Sequence, residues 1–379
     1  MIFRRYKDYD WWLIAATVCL SIFGVIMVYS ASFPLAIDLY GNPSHFFWRQ
    51  LIWLTAGLFL LFFFMHFRHS LLKKLSPLLI AGSLFLLILV VLVGPEINGA
   101  KSWIPVGPFN IQPAEFVKLA VIIYLAQVYS QKQAYINKFI SGVIPPLVVV
   151  VFIFSLIMLQ PDLGTAASIL MTAGVVVFLS GAKWRHLAVL ATLSGGVIAY
   201  FAVSEPYRVQ RLTAFRDPFE LAETARGSGY QLIQSYVAFA HGGLTGTGLG
   251  QSVQKMHFLP EPHTDFILAV IAEELGIFGI GFVLLCLAII AWRGVLIGVR
   301  SKNTFGMLLA FGLVFQLVSQ SVVNAWAATG LLPITGLPFP FVSYGGSSLL
   351  VSMIAIGILA NISRENKKAR RKDKNLEAA

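Results

Sequence analysis

The chain has 379 residues, 57% of them apolar and 12% charged, with a mean hydropathy of +0.78. A water-soluble domain carries roughly 45–50% apolar and about 25% charged residues, so composition excludes a soluble protein. The net charge of +11 would suggest nucleic acid in a soluble chain; here no nucleic-acid partner is expected, and the placement of the charge is what informs.

Apolar runs near 20 residues match the roughly 30 Å hydrocarbon thickness of a bilayer. They fall at 12–33, 48–65, 75–93, 112–129, 143–160, 163–180, 187–203, 265–292, 305–328 and 344–361. This predicts an all-α polytopic membrane protein of ten transmembrane helices. The first run follows Arg4, Arg5 and Lys7 as a signal peptide would, but Tyr29-Ser30-Ala31-Ser32 is a poor cleavage context, so it reads as a retained anchor. Cys19 and Cys286 both lie inside apolar runs, which excludes a disulfide framework and a cysteine metal site.

Twenty of the 28 Lys and Arg residues fall in the N-terminus, alternate loops and the C-terminus. Cytoplasmic loops collect positive charge, so both termini are predicted cytoplasmic. Residues 1–363 then form the transmembrane domain and 364–379 a basic cytoplasmic tail, expected to be a solvated, disordered run that anchors the topology.

On the opposite, outer side four polar regions stand out, because ionisable groups at membrane depth normally have a partner or a task. In the first, Asn98–Ile104 with Lys101 and Trp103 reads as a re-entrant or interfacial segment. It leads into a helix that Pro113 starts at its first position. Glu115 and Lys118 are three apart on that helix and can pair, as a structural ion pair or with Lys118 as an anion contact. In the second, Gln160–Thr165 is a tight turn in which Asp162 either caps the next helix or takes part in chemistry.

The third region is the 59-residue loop 204–262, the longest in the chain. Arg208 and Arg211 in it read equally as headgroup anchors or as a diphosphate clamp. Gln231–Ala240 is an apolar stretch too short to span, expected at the interface. The fourth is Leu259–Ile267 with Glu261, His263 and Asp265. His263 or Thr264 is expected near a helix N-cap, with Asp265 in the first turn, where it offsets the helix dipole or acts in chemistry. Glu273 and Glu274 follow about 12–14 Å deeper and are expected to be buried and paired. Gln316, Gln320 and Asn324 make a stripe of interhelical hydrogen-bonding glue. The proline-rich 332–340 segment must be buried in protein or line a cavity, and Ser343 and Tyr344 open the last span beside it.

These motifs resemble the SEDS family (shape, elongation, division and sporulation), through Met27–Ser32, Asn98–Ile104, Gln112–Leu119, Gln160–Thr165, Gly229–Ile233, Leu259–Ile267 and Gly330–Ser348. Gly248–Lys255 looks like the FtsW branch, which serves division; RodA and the sporulation homologues share most of the rest. The resemblance implies ten spans and a peptidoglycan glycosyltransferase that polymerises lipid II on the outer face of the bacterial cytoplasmic membrane, at the septum for the division branch. It places the family's essential aspartate on Asp265 and its acid–base pair on Glu115 and Lys118. It also implies a class B penicillin-binding transpeptidase and other divisome membrane proteins as partners.

The chemistry agrees. Diphosphate leaves without protonation, so one carboxylate base and cations on the departing phosphates suffice, unlike a glycosidase with its two carboxyls. Asp265 is the expected base. Lys118, Arg208 and Arg211 are the expected cations, and Lys101, Trp103, Glu115, Asp162, Glu261, Ser343 and Tyr344 are further substrate-binding candidates. No cofactor is required and no closed metal cage is present in the sequence, which leaves room for a Mg2+ or Mn2+ ion on the diphosphate. The rival readings are a lipid II flippase, an elongation- or sporulation-type polymerase, and a passive scaffold for the transpeptidase.

Overall fold

A computed structural model describes residues 8–96, 99–219 and 227–377. Arg4, Arg5, Lys7, Asn98 and Arg226, which entered the motif and charge readings, lie outside the described residues. Helices cover all ten expected spans: α1 (Trp11–Tyr40), α2 (His45–His66), α3 (His69–Val93), α4 (Pro113–Gln131), α5 (Ile144–Met158), α6 (Leu163–Leu179), α7 (Trp184–Val203), α10 (Ile267–Val299), α11 (Thr304–Ala328) and α12 (Gly346–Glu377). The long loop contributes two more, α8 (Pro206–Arg216) and α9 (Ser228–Gly242).

Eight helices are long and apolar enough to cross a membrane, so this is a multi-pass membrane protein; α4 and α6 are not among the eight. Their composition follows from their position. α4 is packed against α3, α6, α11 and α12, with Glu115 and Lys118 buried, and a helix shielded by protein need not be apolar toward lipid. α7 is the opposite case, with no buried residue and packing mainly on its chain neighbours α6 and α8.

Local chemistry sets the helix ends. Asp10 caps α1 through the Leu13 amide, and Gly41, in the left-handed region at φ 62°, closes it. Pro113 opens α4 as expected. Asp162 accepts the Thr165 amide at 2.9 Å and caps α6. The segment expected to be re-entrant or interfacial is not a helix and runs into a hairpin: β1 (Ile104–Val106) pairs antiparallel with β2 (Phe109–Ile111) around Gly107 at φ 59°. Arg49 of α2 holds it, donating to the Pro108 carbonyl and stacking over the Phe109 ring.

α10 differs from expectation twice. It begins at Ile267 with Phe266 as an N-cap that makes no side-chain bond, so Asp265 precedes the helix, and neither His263 nor Thr264 caps it. It also breaks at Gly276 (φ 60°, ψ −151°), where a Cβ would sit 2.5 Å from Gly246 N and from Leu244 O. The 242–248 segment fills the break: the Thr247 and Gly248 amides donate to the Glu273 and Glu274 carbonyls, and the Ile277 amide donates to Leu244 O. The freed backbone groups are satisfied inside protein, as irregular backbone at membrane depth must be.

The tail is not a disordered run. α12 continues through residue 377, about 48 Å at 1.5 Å per residue, so its last turns must project beyond a roughly 30 Å hydrocarbon layer. Arg371 pairs with Asp8 at 2.8 Å, Lys302 with Asp373, and Asn366 donates to Ile297 O. Nearby, Arg293 binds Asp10 with two nitrogens at 2.6–3.0 Å. The N-terminal residues, the α10–α11 turn and the tail therefore meet at one basic end of the bundle.

Candidate functional site around Asp265

The turn between the long loop and α10 presents Asp265. Glu261 at φ 52° bends the chain, and its carbonyl accepts the Thr264 and Phe266 amides. The segment from 332 to 345, which as expected is not a helix, clamps this turn from the other side. Ser343 Oγ donates to Thr264 O at 2.6 Å and accepts the Phe339 amide at 2.8 Å, while the Tyr344 amide donates to His263 O at 2.8 Å. Asn324 of the α11 stripe ties both parts together, donating to Asp265 O and to Leu337 O.

Every one of these bonds uses the Asp265 backbone or its neighbours; its carboxylate, half-buried, makes no hydrogen bond among the described residues. Burial and the nearby Glu261 carboxylate push its pKa up to about 6, with Asp162 adding to the rise and Arg211 opposing it. His263, buried between Phe46 and Tyr344, is pushed down to about 4 by burial. Its ring is therefore neutral at pH 7, and its Nδ1 has no hydrogen-bond partner among the described residues. Sequence reasoning gave His263 only a place near the helix N-cap; its position in the Pro-His-Thr-Asp turn was the available signal.

A groove of about 300 Å³ opens between α6, α7, α8 and the 332–337 segment, with Asp162, Arg208 and Arg211 on its wall and mostly apolar side chains elsewhere. The two arginines differ. Arg208 donates to Phe201 O, Ser204 Oγ and Tyr207 Oη, so it closes the C-terminal end of α7. Among the described residues Arg211 makes only a long 3.4 Å bond to Ile334 O and lies over the Tyr207 ring; it is the cation whose field reaches Asp265.

Deeper, Glu115 and Lys118, each 2% exposed, pair at 2.8 Å as the spacing predicted. Lys118 Nζ also donates to Gln320 Oε1 at 2.7 Å, and Gln320 Nε2 donates to Pro338 O. The pair thus supports the 332–345 segment from below. Gln112 links that layer to the groove, its side-chain Nε2 donating to Asp162 Oδ2 and its backbone amide donating to Ser347 Oγ.

The remaining candidates scatter. Lys101 is exposed and Trp103 half-buried beside the hairpin. Glu261 is exposed and accepts Thr264 Oγ1. Ser343 Oγ is occupied in both directions, and Tyr344 packs on Phe46 and His263, so both serve the shape of the turn. Glu273 accepts Ser252 Oγ and the Val253 and Gln254 amides, and Glu274 binds Lys255 at 2.7 Å and Ser30, which is the buried pairing expected of them.

The family model described as "Cell cycle protein", FTSW_RODA_SPOVE, matches residues 10–368. The chain belongs to the FtsW/RodA/SpoVE family. Among its relatives, stage V sporulation protein E of Bacillus subtilis is 42% identical over 357 residues, covering 94% of this chain and 97% of that one. The probable peptidoglycan glycosyltransferase FtsW of the same organism is also 42% identical, over 97% of this chain and 95% of its own. A solved structure described as coordinating polymerization and crosslinking in a peptidoglycan synthase complex superposes with a TM-score of 0.76 at 29% identity, covering 94% of this chain and 98% of that chain. The rod shape determining protein RodA of Thermus thermophilus superposes at 0.69 with 27% identity over 94% of this chain and 97% of its own. In this FtsW/RodA/SpoVE-family chain, the half-buried Asp265 carboxylate lies within the field of Arg211, and Arg211 lines the apolar groove.

Proposed function

We propose that the protein is a peptidoglycan glycosyltransferase that polymerises lipid II on the outer face of the bacterial cytoplasmic membrane. The observation that carries this reading is the Asp265 carboxylate: half-buried, without a hydrogen-bond donor among the described residues, raised to about 6, and within the field of Arg211. A general base works best with a pKa near the operating pH. An acceptor hydroxyl oxygen bonds to the anomeric carbon, its proton passes to Asp265, and the carbon–oxygen bond to the lipid diphosphate breaks with the pair leaving on phosphate. Attack opposite the leaving group inverts the anomeric centre. Arg211 offsets the developing diphosphate charge, with the lipid chain along the apolar groove. Lys118 and Glu115 act one layer away, by positioning the 332–345 segment through Gln320.

The finer topology belongs to the same proposal: ten spans, both termini cytoplasmic at the basic end, and the 204–262 loop outside. Division at the septum is the proposed setting, with a class B penicillin-binding transpeptidase and other divisome membrane proteins as partners. The elongation and sporulation roles are the alternatives, since the FtsW and sporulation relatives are equally similar. Among the described residues no three His, Cys, Asp or Glu side chains are grouped to hold a metal ion, so a Mg2+ or Mn2+ ion is proposed to enter with the diphosphate.

The test is glycan-chain formation from lipid II by the purified protein with its transpeptidase partner. Asp265→Asn is expected to lower the rate by at least about a hundredfold. Polymerisation by that variant at the wild-type rate refutes the assignment, and lipid II translocation without polymer by the wild type favours the flippase.

A further inference from the structure

A second cavity, of about 460 Å³, lies at the basic end, far from the Asp265 turn in the chain. Its apolar wall is Leu296 and Ile297, in the last turn of α10. Opposite, Ser363, Asn366, Lys367, Arg370 and Asp373 of α12 line it at spacings of three and four, one face of the helix. Arg300 and Lys302 close the rim from the α10–α11 turn.

Four cations therefore converge on a cavity with two carboxylates, Asp10 and Asp373. Both acids are already neutralised: Arg293 binds Asp10 and Lys302 binds Asp373. Lys367 donates to the Tyr9 carbonyl. Arg300 and Arg370 make no ion pair among the described residues. A plain positive-inside anchor needs charge near the membrane surface but no enclosure. Here the cations come from two separate segments and surround a volume whose floor is the end of an apolar helix.

We propose that this cleft binds the phosphate of an anionic phospholipid of the cytoplasmic leaflet, held by Arg300 and Arg370, with its acyl chains running past Leu296 and Ile297. Basic pockets between helices on the cytoplasmic side suit such headgroups, and a guanidinium fork matches phosphate geometry. The leaflet rests on the orientation proposed above.

The test is native mass spectrometry of the full-length protein released from phosphatidylcholine vesicles that contain a minority of phosphatidylglycerol. The wild type is expected to retain one phosphatidylglycerol in preference to phosphatidylcholine. At about fivefold per cation, Arg300→Ala with Arg370→Ala weakens retention about thirtyfold. Lys368→Ala with Lys372→Ala removes the same charge from α12 outside the cleft and leaves retention nearly unchanged. Equal losses in the two pairs mean diffuse surface attraction and overturn the site. If the arginine variant does not fold, the lipid preference of the wild type decides, and its absence overturns the proposal. Inorganic phosphate is the second probe: binding that depends on both arginines, without retained phosphatidylglycerol, assigns the cleft to a soluble phosphate and overturns the lipid. Lipid retention together with a C-terminal tag accessible from outside keeps the cleft and overturns the orientation alone.

Discussion

The reading of Asp265 as a base makes a claim about stability as well as rate. Its carboxyl ionises near 3.8 in an unfolded chain and about 6 in the fold. Between these values the folded protein binds more protons, so the contribution of this group to stability is complete below 3.8 and is lost as pH rises through about 6. At roughly 1.4 kcal/mol per pKa unit, a fully shielded carboxylate would cost about 3 kcal/mol at neutral pH. Asp265 is half-buried, which brings the expectation to about 1–3 kcal/mol. Asp265→Asn removes the charge and keeps the shape, so the inactive variant is expected to be the more stable protein above pH 7. The assay is thermal unfolding of both proteins in detergent from pH 4.5 to 8. The melting-temperature gap should open through pH 6 and reach a few degrees, with the variant higher. A gap of the same size at pH 5 and pH 7.5, or a variant less stable throughout, refutes the reasoning, because it means that the carboxylate is stabilised by donors the structure does not give it.

Two further predictions follow from the same geometry. Arg211 is the cation that holds the Asp265 pKa down, so Arg211→Ala is expected to move the acid limb of the polymerisation pH profile above 6 and to lower kcat; an unmoved limb separates Arg211 from the base. Lys255, 4% exposed, and Glu274, 0% exposed, pair at 2.7 Å. Breaking such a pair leaves an uncompensated charge, so Lys255→Met is expected to cost about 3–5 kcal/mol, largely recovered by adding Glu274→Leu, as thermal unfolding will show.

The helices and the polar bonds of known spacing were legible in the sequence because both rest on local periodicity. Twenty-residue apolar runs, Pro113 at a first position, Asp162 before Leu163, and Glu115 three before Lys118 are each decided within one turn of chain. What was not legible depends on distant segments. Asp265 was expected in the first turn of α10, but Ser343 and Tyr344, some eighty residues on, hold residues 263 and 264 out of the helix. Gly276 reads as an ordinary helical glycine until the 242–248 segment is brought against it. The basic tail has the composition of a solvated run, and it is contacts with distant groups, Asp8, Tyr9, Ile297 and Lys302 among them, that explain why it stays helical. Arg208 and Arg211 look alike in sequence; the end of α7 claims one of them.

The contrast among the acids is the strongest structural argument for where chemistry happens. Glu273 is surrounded by three donors, Glu274 and Glu115 each have a lysine, Asp10 has Arg293, and Asp162 has a helix N-terminus and Gln112. Each of these carboxylates therefore already has its oxygens taken up by donors within the fold. Asp265 is built the other way. Its surroundings supply burial and two like charges, and the bonds of its own turn are all to backbone atoms, which fixes its position without satisfying its oxygens. A group that is held in place yet left electrostatically unsatisfied costs stability, and such a cost persists where the group has a task. The same inequality explains why Lys118, although cationic, stands one layer back: its ammonium is already shared between Glu115 and Gln320, so it shapes the segment over Asp265, and the proposed mechanism assigns the diphosphate to Arg211.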